Sequence, residues 1–109
     1  MREVKKEKLG EIIHRLAAEF VQKESTKASL LTITRVVVSD NGKVAKIFFT
    51  TIPESQEETA EKFLGRKSGE FKQYLRDHSK IGFPPMCRFH IDLGERNRQR
   101  LDELSEEIK

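Results

Sequence analysis

The sequence predicts an α+β two-layer sandwich, one small sheet with helices on a single face. Three observations carry that expectation. The N-terminal segment repeats apolar residues at helical spacing, two β-branched runs flank Asp40-Asn41-Gly42, and two helical segments broken by glycines lead into a final alternating run. The 109 residues and 36% hydrophobic content supply one modest core, so a single domain over residues 1–109 is expected.

Residues 2–23 come first. Leu9, Ile12, Ile13, Leu16, Phe20 and Val21 recur three and four positions apart with charge between them, which defines an amphipathic helix with one face to bury. The polar stretch KESTKAS at 23–29 leads into LLTITRVVV and KVAKIFFTT. These read as the arms of a β-hairpin, because Asn and Gly both tolerate positive φ in the turn between them. On the second arm the two-residue period sends Ala45, Ile47 and Phe49 inward and Lys46, Phe48 and Thr50 outward. Pro53 then ends the strand.

Residues 54–64 are helical in pattern, with Ser55 as N-cap and Glu57 and Glu58 at the positive end of the dipole. Gly65 is expected to close this helix in the left-handed conformation. A further helix over 68–79 puts Phe71, Tyr74 and Leu75 on one face and Lys72, Arg76 and Lys80 toward solvent. Gly82 and Pro84-Pro85 stop it. MCRFHID then alternates, with Cys87, Phe89 and Ile91 inward and Arg88 and His90 outward, which predicts a third strand. Residues 95–108 carry Leu101, Leu104 and Ile108 at helical spacing and predict a short acidic C-terminal helix. The order is thus α-β-β-α-kink-α-β, with a helical tail from about residue 95.

The formal net charge of +3 conceals an uneven distribution. Residues 1–61 hold ten Lys/Arg and ten Asp/Glu, residues 62–100 ten against four, and residues 101–109 one against four. Positive charge therefore gathers around the glycine-containing corner in FLGRKSGEFK. A charge run by itself is an ordinary solvated face. At this corner, however, it coincides with a helix N-terminus, whose first N–H groups have no partner within the helix and whose dipole favours anions. Gly69 lets a backbone approach, Arg66 and Lys67 flank the amides, and Lys72 and Arg76 continue the charge at four-residue spacing. The corner is the candidate phosphate site, made of Arg66, Lys67, Ser68, Gly69, Lys72, Arg76 and Lys80.

Other chemistry has little support. His14, His78 and His90 fall on different elements without metal-ligand spacing, and no metal or cofactor is expected. Cys87 reads as buried strand filler, with His90 on the opposite face and no base beside it. Asp92 has no second carboxylate placed to pair with it. In FLGRKSGEFK, Gly65 and Gly69 lack both the following Lys-Ser/Thr and the preceding strand of a phosphate-binding P-loop, so no nucleotide or other small-molecule substrate is expected. Phe48, outward on the hairpin, is suited either to stacking on a base or to covering an apolar patch. Apolar runs are short and a lone cysteine permits no internal disulfide, so a cytoplasmic protein that neither spans nor anchors to a membrane is expected.

The element order is that of the type II KH fold, and four stretches in sequence resemble the bacterial ribosome-binding factor A family: LLTITRVVVSDNGKVAKIFFT, KSGEFKQYL, FPPMCRFHID and RLDEL. The resemblance implies a KH-like domain in which the usual G-x-x-G loop is replaced by an Ala-x-Gly kink. Lys67, Ser68 and Gly69 occupy the matching positions, and Lys67 departs from the small residue usual there, adding a phosphate-seeking charge. The resemblance also implies a monomeric, non-enzymatic factor that binds the immature small (30S) ribosomal subunit and its 16S rRNA or precursor, near the 5′ end and neck. It further implies support for late processing and for growth in the cold. Two other readings share the residues: an adaptor that docks proteins through a sheet edge or the Phe48 face, and a KH-like module for another structured RNA.

Overall fold

A computed structural model of the chain describes residues 6–24 and 30–94. The polar connection before the hairpin and the acidic helix expected over 95–108 lie outside the described residues. The elements are α1 (Lys6–Glu24), β1 (Leu30–Val38), β2 (Val44–Ile52), a single 3-10 turn at Glu54–Gln56, α2 (Glu57–Arg66), α3 (Ser68–His78) and β3 (Met86–Ile91). Mixed α+β architecture and element order both follow the expectation from sequence.

The apolar stripe of α1 does what its spacing predicts. Leu9, Ile13, Leu16, Ala17, Phe20 and Val21 are buried, and Ile12 packs at the margin of the same core. Opposite them stand Ala45, Ile47 and Phe49 of β2 and Cys87 and Phe89 of β3, all inward as the alternation requires. Phe71 ties the layers together. Its ring lies 5.2 Å from that of Phe20 on α1 and 5.5 Å from that of Phe89 on β3, both at inclined angles favoured by aromatic pairs.

The hairpin turn uses positive φ at only one of the two residues expected to tolerate it. Gly42 N–H donates to the Ser39 carbonyl at 2.9 Å, and only Gly42 has positive φ, at 70°; Asn41 does not. Asn41 contributes through its side chain instead. Its Oδ1 accepts from the Ser39 hydroxyl at 2.7 Å and from the Lys43 N–H at 3.0 Å, closing the turn without left-handed backbone at Asn.

Strand order is β1-β2-β3, with β1 antiparallel and β3 parallel to β2. A parallel neighbour requires a crossover, and α2 and α3 form it. β1 is bulged between Ile33 and Arg35, so Ile33 faces Phe49 while Arg35 faces Phe48. The extra residue returns Val36 and Val38 to the inner side and turns Arg35 outward. Thr50, expected outward, is buried, and it pairs with Thr32 of β1. The Asp92 carboxylate, just after β3, accepts from the Thr34 hydroxyl at 2.6 Å and from Arg35 Nε at 3.4 Å.

Two further expectations are corrected. Ser55 is no N-cap: the chain passes Pro53 into the 3-10 turn, α2 begins only at Glu57 behind Gln56, and no side chain caps it. Gly65 is not a left-handed cap either. It sits inside α2, one residue before the helix ends.

Candidate nucleic-acid interface

The corner is a single residue, Lys67, with φ −94° and ψ 1°, a bridge-region conformation that redirects the axis without positive φ. Lys67 itself is bonded on both sides of the corner. Lys67 N–H is shared between the Phe63 and Leu64 carbonyls at 3.2 and 3.1 Å, and the Lys67 carbonyl accepts from Phe71 N–H at 2.9 Å. The N–H groups of Ser68, Gly69 and Glu70 thus open α3, and no side chain caps that end. Leu64, Phe71 and Leu75 hold the two helices to the core, each fully buried.

The predicted residues are distributed unevenly around this end. Arg66, Gly69, Lys72, Arg76 and Lys80 are exposed, whereas Lys67 and Ser68 are half-buried. Ser68 turns its hydroxyl back to donate to the Gly65 carbonyl at 3.0 Å. A Cβ added at Gly69 would meet nothing within 4 Å, so an incoming group has open access to the backbone there. Lys72 and Arg76, four apart on α3, share a face; neither they nor Arg66 and Lys80 have an acidic partner among the described residues.

Lys67 is more constrained than its position in the sequence suggests. Its ammonium is 3.4 Å from both carboxylate oxygens of Glu70 and 5.7 Å from the centre of the Phe63 ring. Glu70 is the residue that sequence reasoning missed. An acid in the first turn is ordinary helix chemistry, but here it also sets a negative charge against the cation built into the corner. The i,i+3 spacing of Lys67 and Glu70 was the available signal.

Cys87 is buried on β3, as expected. Burial pushes its thiol up to about 12, an effect partly offset by the charge of Lys72, so the thiolate is scarce at neutral pH. Among the described residues no group of three His, Cys, Asp or Glu side chains is placed to hold a metal ion, and no helix is long and apolar enough to cross a membrane.

A three-stranded sheet layered with helices, two of them meeting at a basic kink with open backbone access, defines a KH-like domain. Residues 5–105 match the model of the ribosome-binding factor A family, and the chain belongs to that family. Ribosome-binding factor A of Coxiella burnetii (strain RSA 493 / Nine Mile phase I) is 24% identical over 104 residues, spanning 94% of this chain and 87% of that protein. Its counterpart in Geotalea daltonii is 28% identical over 105 residues, spanning 94% and 85%. Among solved structures, the crystal structure of ribosome-binding factor A from Thermus thermophilus superposes with a TM-score of 0.71 at 25% identity, covering 81% of this chain and 97% of that one. A homology model of the Thermus thermophilus factor, fitted into the cryo-EM map of a 30S–RbfA complex, superposes with a TM-score of 0.65 at 25% identity, covering 72% and 86%.

Proposed function

We propose that this protein binds the immature 30S subunit through its 16S rRNA and holds a conformation of that RNA during late maturation and processing. It acts as a monomeric single domain in the cytoplasm and without a catalytic step. Membership of the ribosome-binding factor A family supports the partner, as does the likeness to a factor fitted into a 30S complex. The observation that carries the mechanism is the uncapped start of α3 beside exposed Arg66, Lys72, Arg76 and Lys80.

Phosphates of one RNA segment meet the N–H groups of Ser68, Gly69 and Glu70 and the cations along α3. Such contacts position the protein without reading base sequence, so selectivity for the immature subunit lies in the shape of the folded RNA. Co-sedimentation with precursor and mature subunits at several salt concentrations tests this. Wild-type protein should favour precursor subunits and lose them steeply as salt rises, and the triple variant Arg66→Glu, Lys72→Glu, Arg76→Glu should fail to sediment with them. Normal binding by a folded triple variant would remove the corner from the mechanism.

A further inference from the structure

We propose that the sheet face turned away from the helices is a second RNA-contacting surface, which stacks one unpaired base on Arg35 and holds the neighbouring phosphates with Lys46 and Arg88. Strand register puts these residues in two adjacent rows. Arg35, Phe48 and His90 lie side by side across β1, β2 and β3, and Val37, Lys46 and Arg88 form the next row. All six belong to the outward positions of their strands, opposite the core.

The first row is a ready platform. The Arg35 guanidinium lies 4.0 Å from the centre of the Phe48 ring, and the His90 ring stands 5.8 Å from Phe48 on the other side. Asp92 tethers Arg35 through Nε at 3.4 Å, and Thr34 in turn fixes Asp92 at 2.6 Å. A guanidinium backed by a ring and held at one edge is a pre-organised plane; its side chain remains 56% exposed, and bases stack on such planes in single-stranded RNA complexes. Phe48 is therefore the floor of the stack and Arg35 its upper surface.

Charge selects the occupant. Lys46 and Arg88 are exposed, whereas Asp92, the acid on this face, is 7% exposed and already paired. The accessible ionised groups of the two rows are thus all positive and complement a phosphate backbone. Val37 and Met86, 45% and 54% exposed, add apolar contact beside the cations for sugars or base edges. A positive groove with a stacking plane is the general make-up of single-strand binding surfaces. Because the corner lies in the helical layer, the two surfaces face different directions and one molecule engages two RNA segments.

The test uses the full-length chain carrying Arg66→Gln, Lys72→Gln and Arg76→Gln, so that the corner is silenced, and a fluorescein-labelled ten-nucleotide uridine RNA as probe. Binding should persist and perturb the backbone amide resonances of Arg35, Lys46, Phe48 and Arg88. Arg35→Lys keeps the charge but loses the plane and should weaken binding roughly tenfold. Lys46→Ala with Arg88→Ala, both at exposed positions, should weaken binding and reduce the salt slope by about 1.4 for two lost phosphate contacts. This double variant keeps the test decisive should Arg35→Lys disturb the fold. Resonance changes confined to α3, or unchanged affinity in the double variant, would overturn the second surface and leave the corner reading standing. Perturbation of this face by whole subunits but not by RNA would overturn it in favour of a protein contact.

Discussion

Glu70→Gln should tighten RNA binding while making the domain less stable, and the opposite signs make it a sharp test of the corner. In the free protein Lys67 lies 3.4 Å from both Glu70 oxygens, with the two side chains 28% and 60% exposed. A pair that open to water is worth about 0.2–1 kcal/mol, so removing the carboxylate lets Lys67 meet a phosphate at that much lower cost, an affinity gain of about 1.5- to 5-fold. The salt dependence changes too. Four exposed cations, Arg66, Lys72, Arg76 and Lys80, give a slope of log affinity against log salt near −2.8 for single-stranded RNA, and adding Lys67 moves it to about −3.5. Against this, the first turn of α3 loses its acid, which costs about 0.3–1 kcal/mol and lowers Tm by about 2–8 °C. Anisotropy titrations with a small-subunit rRNA fragment across a salt series, beside a thermal melt, measure all three quantities. A lower Tm with unchanged affinity and slope would refute Lys67 as a phosphate contact, and weaker binding would refute the corner as an anion site.

Phe71→Ala should cost about 3–5 kcal/mol, toward the upper end because two aromatic neighbours lose their partner, while exposed Arg88→Ala should leave Tm nearly unchanged; similar melts for the two would contradict the inward–outward assignment. Gly65→Ala should stabilise by about 0.5–1 kcal/mol, since the position is helical and a Cβ there meets nothing within 4 Å; a loss of stability would show that left-handed backbone is needed after all. Cys87 should resist a thiol reagent at pH 8 in the folded protein and react on denaturation. Because its folded pKa, about 12, exceeds the unfolded value of about 8.5, its contribution to stability is complete below pH ~8.5 and declines as pH rises toward 12. Rapid native labelling at pH 8 would contradict this burial.

Periodicity made the core legible. The stripe of α1 and the inward triplet Ala45, Ile47 and Phe49 are consequences of 3.6- and two-residue repeats, which survive any tertiary arrangement. The bulge in β1 was less visible, although strict alternation from Ile33 would have put Arg35 among core residues, and that conflict was its trace in the sequence. Parallel pairing of β3 with β2 had no local signal, because it depends on how the crossover returns to the sheet. Gly65 was misread for a related reason: a pair of glycines so close in sequence, Gly65 and Gly69, suggests a glycine-made turn, yet the redirection falls on Lys67 and needs no positive φ. At the candidate interface the exposed cations followed from composition and spacing. The restraint on Lys67 by Glu70 left only its i,i+3 spacing as a trace, and the Arg35–Asp92 tether left none, since it joins strands far apart in the chain.

The parallel placement of β3 also dictates when the candidate phosphate-binding corner comes into being. Hairpin pairing between β1 and β2 is local and can form soon after those residues leave the ribosome. The corner lies inside the crossover, anchored at one end by β2 and at the other by β3, whose Met86 pairs with Val44 only after the helices between them have been synthesised. Loop-closure entropy opposes that pairing until Phe71 and Phe89 meet in the core. A nascent or truncated chain lacking β3 is therefore expected to present cationic side chains without the fixed helix end that organises them, so that the proposed phosphate contacts at the corner should strengthen only once β3 has paired with β2.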